Sequence, residues 1–364
     1  YKLVLGRFRI YINTGMNSAA LQPVILQIIP ELGPGGAEQG CIDVAAGIIE
    51  SGGKAIVISQ GGSRLRELAR TGTAHIEMAV KSKNPLVILK NARKLASIIR
   101  NNRVNIVHAR SRAPAWSAWL ACRKLRRQGY PVHFMTTCHA PYNISGNVKR
   151  WYNSVMARGE RVIAISGYVG DYLRENYSVF PDLIRVIHRG IALEKFHPTA
   201  VNARRLIQLS QEWRIPDGSN IVMLPGRLTR WKGHHVLIEA MERLNRPDLF
   251  CVIIGSDQGR KAYRKELDEM IAGKGLGGQI RIVDHCTDMP AAYMLATVVV
   301  CPSTDPEGFG RVPVEAQAMG RPIVAAAHGG AKETIIGGET GWLVEPGNAV
   351  ELAKAIEEAL ALTP

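Results

Sequence analysis

Short apolar runs alternate with longer segments of helical periodicity along most of the chain. Apolar runs bounded by glycine and proline are typical of strands in a covered parallel sheet, whereas apolar positions three and four residues apart predict helices. In the first half, the pattern predicts strands at 23–29, 54–59, 105–109, 132–140 (with a loop), 161–166 and 184–191, and helices at 38–50, 85–101 and 113–128. In the second half, it predicts strands at 220–227, 249–255, 280–284, 298–302 and 321–326.

Strands that alternate with helices form a parallel sheet with right-handed crossovers, which predicts an α/β protein. Because 364 residues exceed one ordinary core, we expect two doubly wound, Rossmann-like domains of similar size facing a central cleft. We place an N-terminal extension at 1–22, the first domain at 23–192 and the second at 193–364, with a linker region between 190 and 220.

The segment 298–327 gathers the most chemistry in one place. It predicts a buried strand, a polar loop, a short helix with Pro313 near its start and Gly320 past its end, and a second buried strand. Glu307 lies on the loop and Glu315 in the helix. Open α/β sheets bind ligands at the carboxyl ends of their strands. We therefore expect the functional site here.

Two carboxylates at such a place suggest the acid and nucleophile of a glycosidase. The sequence GRLTRWKG at 226–233 argues for another role, because Arg227 and Lys232 follow a predicted strand and could hold a diphosphate between them. Two solvated loop cations are the plainer interpretation. Carboxylates that accept sugar or ribose hydroxyls, beside cations that bind a diphosphate, account for all four residues. The sequence contains no DxD pair for a bridging metal, so we expect no metal cofactor.

A glycine cluster, GPGGAEQG, stands between the first strand and the first helix. The amides of Gly35 and Gly36 could approach a phosphate at the helix N-terminus. A nicotinamide fingerprint is disfavoured, because Glu38 occupies a required glycine position and the second strand ends in Ser59 and Gln60 without an acidic residue. His139, just past a predicted strand, could bond a substrate hydroxyl or transfer a proton, but a lone histidine is more often structural.

The formal charge of +15 is unevenly distributed, with a net +17 in residues 1–190 and −2 in the remainder. The asymmetry points to an anionic partner for the first half, with solvated arginines as an equal alternative. The helix at 113–128 carries Trp116 and Trp119 ahead of four cations. It could lie on an anionic membrane, although packing on the sheet is somewhat more favoured.

Six scattered cysteines without a CxxC pair predict reduced, buried thiols and a cytoplasmic protein. No run of about 18 apolar residues predicts a membrane-spanning helix. The first fifteen residues, which precede Met16, fit a signal peptide poorly because Arg7 and Arg9 interrupt the apolar run. We leave this segment out of the fold argument.

Taken in order, the motifs GGAE, HRGIALEKFHP, LPGRLTRWKG, EGFGRVPVE, AQAMGRPIVAAAHGG and GGETGWLVEPG resemble those of the retaining glycosyltransferases of family 4, which have the GT-B fold. The resemblance extends from residue 23 to the C-terminus. It implies a nucleotide-sugar donor, GDP- or UDP-hexose, bound mainly by the second domain, and an acceptor on the first. The chain looks most similar to bacterial mannosyl and glucosyl transferases of lipopolysaccharide-core assembly.

By the same resemblance, Glu307 contacts the donor sugar, Glu315 contacts the ribose, and Arg227 and Lys232 hold the diphosphate. The amides of Gly308, Phe309 and Gly310 approach the sugar and phosphate, Gly36 lines the diphosphate from the first domain, and His139 lies near the reacting sugar. The family's pattern departs at Gly255–Arg260, at Arg189 in place of asparagine, and at the C-terminus, where relatives continue with a helix that crosses back to the first domain.

The net charge of +17 in residues 1–190 suits an anionic acceptor, such as a phosphorylated or acidic lipid-linked glycan. Together with the resemblance, it leads us to expect transfer to such an acceptor at the inner face of the cytoplasmic membrane, without a nucleic-acid partner. A sugar-nucleotide epimerase or hydrolase of the same fold is an alternative, in which donor would be consumed equally with and without acceptor. A basic nucleic-acid-binding protein is a third hypothesis. It predicts steeply salt-dependent binding to DNA or RNA and leaves the two glutamates without a role.

Overall fold

The computed structural model describes residues 22–33 and 35–362, which form two parallel sheets flanked by helices. Except for residue 22, the predicted N-terminal extension lies outside the described residues. No helix within the described part of the chain is long and apolar enough to cross a membrane.

The first sheet is built from the first half of the chain. Its strands are β1 (Val24–Ile28), β2 (Lys54–Ser59), β3 (Ala74–Glu77), β4 (Ile106–Ala109), β5 (His133–Cys138), β6 (Arg161–Ala164) and β7 (Ile184–Val186). The accompanying helices are α1 (Gly36–Glu50), α2 (Leu65–Arg70), α3 (Pro85–Asn101), α4 (Arg112–Arg127), α5 (Asn147–Asn153) and α6 (Gly167–Tyr177). The strands are parallel and lie in the order β3-β2-β1-β4-β5-β6-β7.

The second sheet follows the same plan. Its strands are β8 (Asn220–Pro225), β9 (Leu249–Ile254), β10 (Ile280–Val283), β11 (Val298–Cys301), β12 (Ile323–Ala326) and β13 (Trp342–Val344). The helices are α7 (Ala203–Glu212), α8 (His234–Leu244), α9 (Lys261–Gly273), α10 (Met289–Leu295), α11 (Arg311–Ala318), α12 (Ala331–Thr334) and α13 (Ala349–Leu360). The strands are parallel in the order β10-β9-β8-β11-β12-β13.

Each sheet is buried on both faces, which explains why its strands read as continuous apolar runs. In β8, Val222 and Leu224 enter one core, whereas Ile221 and Met223 enter the core on the opposite face. Successive side chains of a strand point to opposite faces, so a strand covered on both sides must be apolar at every position. This is the pattern from which the α/β fold was predicted, and the two sheets confirm it.

Several predicted elements differ in extent from the observed ones. The strand predicted at 184–191 ends at Val186, after which the chain turns towards the cleft. The short edge strands β3 and β13 were missed, since β3 is only partly buried and lacks a continuous apolar run. The predicted linker between 190 and 220 contains α7, which packs on the second sheet through Leu209 and Trp213.

Two sequence interpretations can be judged on packing. All six cysteines are buried free thiols, as predicted. Helix α4 lies against α3, with Trp116 only 7% exposed, so the packed interpretation of this helix is correct. Trp119 is partly covered by the guanidinium groups of Arg123 and Arg158, whose centres lie 5.3 and 4.7 Å from its ring.

The two halves touch along the cleft. Both carboxylate oxygens of Glu333, on α12, accept hydrogen bonds from the backbone of α6, 2.7 Å from the nitrogens of Gly167 and Tyr168. A carboxylate at a helix N-terminus satisfies unpaired N–H groups and interacts favourably with the helix dipole. Phe309 is 5% exposed and packs among first-half residues. These contacts hold the halves close enough to share a site.

Candidate active site

A cleft of about 750 Å³ lies between the two sheets. It opens where β8, at the centre of the second sheet, is flanked by β9 and β11, which is the kind of position where open α/β sheets bind ligands. The structure brings most of the predicted site residues together in its lining: Gly36, His139, Arg227, Lys232, Glu307, Gly308, Phe309, Gly310 and Glu315. Gly35, which precedes α1, is not part of that lining.

The loop after β8 is held tightly against the loop after β11. The backbone nitrogen of Thr304 donates to the carbonyl of Trp231 at 2.7 Å. Gly233 has a φ of +72°, and a Cβ at this position would lie 1.8 Å from the carbonyl oxygen of Pro302. Only glycine fits this conformation and this approach. The contact fixes the neighbouring Lys232 next to the segment that carries Glu307.

Lys232 and Glu307 form an ion pair within the cleft. Lysine Nζ lies 2.6 Å from Oε1 of Glu307, and the side chains are 12% and 19% exposed. The hydroxyl of Ser303 donates to the same oxygen at 2.7 Å. Burial would raise the pKa of Glu307, but Lys232 and Ser303 outweigh it and lower that pKa below its ordinary value. Near neutral pH, Glu307 is therefore ionised, and the positive charge of Lys232 balances its negative charge.

Glu315 lies deeper and has different partners. The hydroxyl of Tyr293 donates to its Oε2 at 2.9 Å, and Nη2 of Arg311 lies 3.1 Å from its Oε1. Burial raises the pKa of Glu315 despite these two donors. Since Tyr293 is fully buried, it fixes the orientation of the carboxylate. Glu315 is thus a rigid acceptor in the wall of the cleft.

Arg227 is exposed at the cleft and forms no ion pair within the described residues. The backbone on both sides of it is fixed, because Gly226 N donates to Ile254 O at 2.8 Å and Leu228 N donates to Ser256 O at 3.1 Å. The guanidinium therefore projects from an ordered loop. It is free to bind an anion that enters the cleft.

His139 joins the first half to this site. Its Nδ1 accepts a hydrogen bond from the guanidinium of Arg189. Because a guanidinium only donates, the hydrogen of the neutral ring must sit on Nε2, which is buried without a partner. Burial first, and then the charges of Arg110 and Arg189, lower the pKa of His139 well below its ordinary value. His139 is a neutral hydrogen-bond donor rather than a general acid that titrates near pH 7.

Gly308 makes the closest approach between the halves. A Cβ at Gly308 would lie 2.4 Å from the carbonyl oxygen of His139. The hydroxyl of Ser166, at the N-terminus of α6, donates to the carbonyl of Gly308. The glycine loop thus contacts the first half through its backbone, beside His139.

Several residues that shape the site were not predicted. Ser303 stands four residues before Glu307 on the loop, where a hydroxyl could have suggested a partner for the carboxylate. Tyr293, on α10, comes from an element with no sequence signal for the site. Arg311 looked like an ordinary helix residue, although it pairs with Glu315 one turn later. Among the described residues, no cluster of three or more His, Cys, Asp or Glu side chains is placed to bind a metal.

Two family models match this chain in adjoining segments. Residues 207–364 match the model described as "Glycosyl transferases group 1", and residues 34–195 match "Glycosyltransferase Family 4". Together they cover the second sheet, the first sheet apart from β1, and every residue of the cleft named above.

Similar proteins agree with these matches. A solved glycosyltransferase from Rickettsia africae is 38% identical and superimposes with a TM-score of 0.85 over 94% of this chain and 89% of that one. The D-inositol 3-phosphate glycosyltransferase 1 of Catenulispora acidiphila is 32% identical over 213 residues, which is 56% of this chain and 50% of the relative. The chain thus spans about half the length of that curated relative. An Anabaena protein, HepE, solved with UDP and glucose, shares the fold with a TM-score of 0.80 at 24% identity over 93% of this chain and 89% of that one.

Proposed function

This chain belongs to the family 4 glycosyltransferases of the GT-B fold, and on that premise we propose that it transfers a hexose from a nucleoside diphosphate sugar to an anionic acceptor with retention of configuration. The donor is GDP- or UDP-hexose and binds mainly to the second half. The Anabaena protein was solved with UDP and glucose, which supports a donor of this class.

The observation that carries the proposal is the distribution of charge across the cleft. Arg227 faces it without an ion-pair partner in residues 22–33 and 35–362, Lys232 is neutralised by Glu307, and Glu315 is occupied by Tyr293 and Arg311. A diphosphate would supply the missing negative charge at the loop after β8. Glu307 and Glu315 then serve as hydrogen-bond acceptors for donor hydroxyls, the former towards the sugar and the latter towards the ribose.

The reaction breaks the bond between C1 of the sugar and the oxygen of the β-phosphate, and its electron pair goes to that oxygen. The acceptor hydroxyl forms the new bond to C1 on the same face and gives its proton to the departing phosphate oxygen. Arg227, Lys232 and the backbone amides of Gly308, Phe309 and Gly310 stabilise the negative charge that develops there. His139, with its hydrogen on Nε2, donates to a hydroxyl of the reacting sugar. Its backbone contact with Gly308 keeps both partners in place.

No metal takes part in this proposal. The cations of the chain and the helix N-termini carry the charge stabilisation that a divalent ion would otherwise supply. Transfer should therefore proceed at an unchanged rate after dialysis against EDTA.

For the acceptor we propose a phosphorylated or acidic glycan, lipid-linked and assembled in the lipopolysaccharide core or another cell-envelope polysaccharide. The net charge of +17 on residues 1–190 supports an anionic acceptor. The curated relative from Catenulispora acidiphila is named for a phosphorylated acceptor, inositol 3-phosphate. We place the reaction at the inner face of the cytoplasmic membrane.

The test begins with thermal unfolding of the protein in the presence of a panel of nucleoside diphosphate sugars, because a bound donor stabilises the folded state. The donor that raises the Tm is then incubated with and without acidic glycan acceptors, and products are measured by mass spectrometry. Transfer only in the presence of acceptor supports the proposal. Equal consumption of donor without acceptor would instead indicate an epimerase or hydrolase. Salt-dependent binding to nucleic acid that UDP and GDP do not compete would indicate a nucleic-acid-binding protein.

A further inference from the structure

Three arginines lie against the start of α1, and one of them, Arg189, contacts His139. Arg110 follows β4, Arg189 follows β7, and Arg311 begins α11 in the second half. We refer to Arg110, Arg189 and Arg311 as the arginine cluster. Arg189 and Arg311 line the cleft, and Arg110 lies behind them.

Two glycines of α1 make room for the arginine cluster. A Cβ on Gly40 would lie 2.5 Å from Nη1 of Arg189 and 3.0 Å from Nη2 of Arg110, so both guanidinium groups pack against α1 at Gly40. A Cβ on Gly36, one turn earlier, would lie 3.6 Å from Cδ of Arg311. Arg189 also donates to the carbonyl of Gly36 and to Nδ1 of His139. The side chains are thus held in fixed positions.

The arginine cluster has few close counterions, and Glu38 and Asp43 of α1 attract Arg110 and Arg189 only from beyond ion-pair distance. Arg110 and Arg189 form no ion pair with any carboxylate in residues 22–33 and 35–362, and Arg311 pairs only with Glu315. Arg110 is 5% exposed and bonds the neutral amide of Gln27 at 2.9 Å. Burial, followed by repulsion from Arg110 and Arg311, lowers the pKa of Arg189 to about 10.

Unsatisfied donors accompany these cations. Within the part of the chain that the structure describes, the Nε atoms of Arg110 and Arg311 and Nε2 of His139 are buried without hydrogen-bond partners. Buried charges in proteins are normally paired, and buried donors are normally satisfied, because leaving them alone is costly. Three such donors in one place, beside two arginines that form no ion pair among the described residues, indicate that a negatively charged ligand completes the site.

We propose that the arginine cluster binds an anionic group of the acceptor, a phosphoryl or carboxylate group, and so positions the acceptor hydroxyl beside His139. This proposal deepens the proposed function and rests on it. The donor diphosphate has its own cations, Arg227 and Lys232, on the loop after β8 in the second half. Arg110 and Arg189 belong to the first half, which contributes the acceptor side of the cleft.

The proposal is tested by anion binding to the whole chain while the diphosphate site is occupied. UDP and GDP are both added at millimolar concentration, and sodium phosphate is then titrated at constant ionic strength with the Tm as readout. Arg189→Gln removes a cation of the cluster. Arg185→Gln is the matched control, because Arg185 is an exposed arginine on β7, four residues before Arg189, and does not line the cleft.

We expect phosphate to stabilise the wild type and the Arg185→Gln variant, and to bind Arg189→Gln at least about tenfold more weakly, since a hydrogen bond to a charged group contributes about 1.5–3 kcal/mol. If Arg189→Gln does not fold, Arg311→Gln takes its place, because Arg311 is half-buried and its loss leaves the first sheet intact.

Equal phosphate binding by the wild type and Arg189→Gln would overturn the proposal. So would a phosphate response that disappears when UDP and GDP are added, because the arginines would then hold the donor diphosphate. The change in Tm caused by UDP or GDP tests the proposed donor site independently of the phosphate titration. Stabilisation by UDP or GDP without a phosphate response refutes only this inference, whereas a phosphate response without any nucleotide response refutes only the donor assignment.

Discussion

Glu307 and Glu315 line the same cleft, yet their surroundings move their pKa values in opposite directions. For Glu307, burial is outweighed by Lys232 and Ser303 and the pKa falls, whereas burial dominates at Glu315 and the pKa rises. Opposite shifts alone would also suit the acid and nucleophile of a glycosidase. The contacts argue against that pairing, because Lys232 and Ser303 hold Glu307 while Tyr293 and Arg311 hold Glu315, and carboxylates fixed in this way fit roles as acceptors of hydroxyl hydrogen bonds.

Arg227 allows catalysis and folding to be separated. Because it is exposed and unpaired among the described residues, Arg227→Ala should change the free energy of unfolding by less than about 0.5 kcal/mol. Removing one donor to a developing negative charge should lower kcat by about 100- to 1,000-fold. Denaturant unfolding and steady-state transfer measure the two effects. Arg243→Ala, on α8 outside the cleft, is the control, and unchanged rates for Arg227→Ala with donor saturating would remove this residue from the mechanism.

His234 gives the fold a defined acid sensitivity. It is fully buried at the start of α8, with Nδ1 3.3 Å from the hydroxyl of Tyr263, and burial lowers its pKa to about 4. The unfolded chain takes up this proton near pH 6.5, so the folded state loses stability as pH falls from about 6.5 towards 4. At pH 5 this one residue should contribute a loss of about 2 kcal/mol.

The measurement is urea unfolding of the wild type and His234→Gln at pH 7 and pH 5. Other buried histidines contribute to the slope in both proteins, so the difference between the two slopes isolates His234. The variant should lose about 2 kcal/mol less than the wild type over this interval. Parallel slopes would show that His234 titrates normally in the folded protein.

Among the helices and strands, those that depend on short-range sequence patterns could be predicted. Apolar runs located the central strands closely, and β2 coincides with its prediction at 54–59. Pattern alone missed β3, which is only partly buried and has no continuous apolar run, and β13, which is only three residues long. The strand end at Val186 depends on Arg189 reaching Gly36 and His139, contacts that local sequence does not encode. Motif spacing located Glu307 and Lys232, but their ion pair required the packing of Gly233 on Pro302.

The glycine loop before α11 tests whether the halves must close. A Cβ at Gly308 would overlap the carbonyl oxygen of His139 at 2.4 Å, so Gly308→Ala should push the halves apart. The clash is between a Cβ and a backbone carbonyl oxygen, so no side-chain rotation can relieve it. We expect transfer to fall at least about 100-fold, since small misplacements of reacting groups have effects of that size. Small-angle scattering should show a larger radius of gyration.

Gly277→Ala is the control for this substitution. No atom lies within 4 Å of a Cβ built at Gly277, and its backbone is not in the left-handed region. This variant should keep the activity and dimensions of the wild type. Full activity in Gly308→Ala would mean that the contact with His139 is dispensable.

At the scale of the whole molecule, the first half combines a net positive charge with exposed apolar side chains. Exposed side chains of α3 and α5 include Leu86 at 75%, Val148 at 80% and Trp151 at 59%. Trp151 stacks on Trp116 of α4 with ring centroids 4.6 Å apart, and the guanidinium of Arg158 lies 4.9 Å from the Trp116 ring, which brings a cation next to this surface. Apolar side chains among cations are typical of surfaces that bind anionic membranes. The acceptor-binding half would then face the membrane that holds a lipid-linked acceptor.

Vesicle binding tests this orientation by comparing substitutions of two exposed valines, one in each half of the chain. Val148→Asp places a negative charge among the cations and removes an apolar contact, and it should weaken binding to phosphatidylglycerol vesicles about tenfold, since burying a valine contributes about 1.5 kcal/mol or more. Val350→Asp, an exposed valine on α13 in the second half, should bind like the wild type. Binding should decrease at high salt, because an attraction between exposed charges is screened. If both variants sediment equally with the vesicles, or if the protein binds equally to vesicles of pure phosphatidylcholine, the membrane contact does not lie at this surface. The net charge of +17 in residues 1–190 would then be explained by acceptor binding alone.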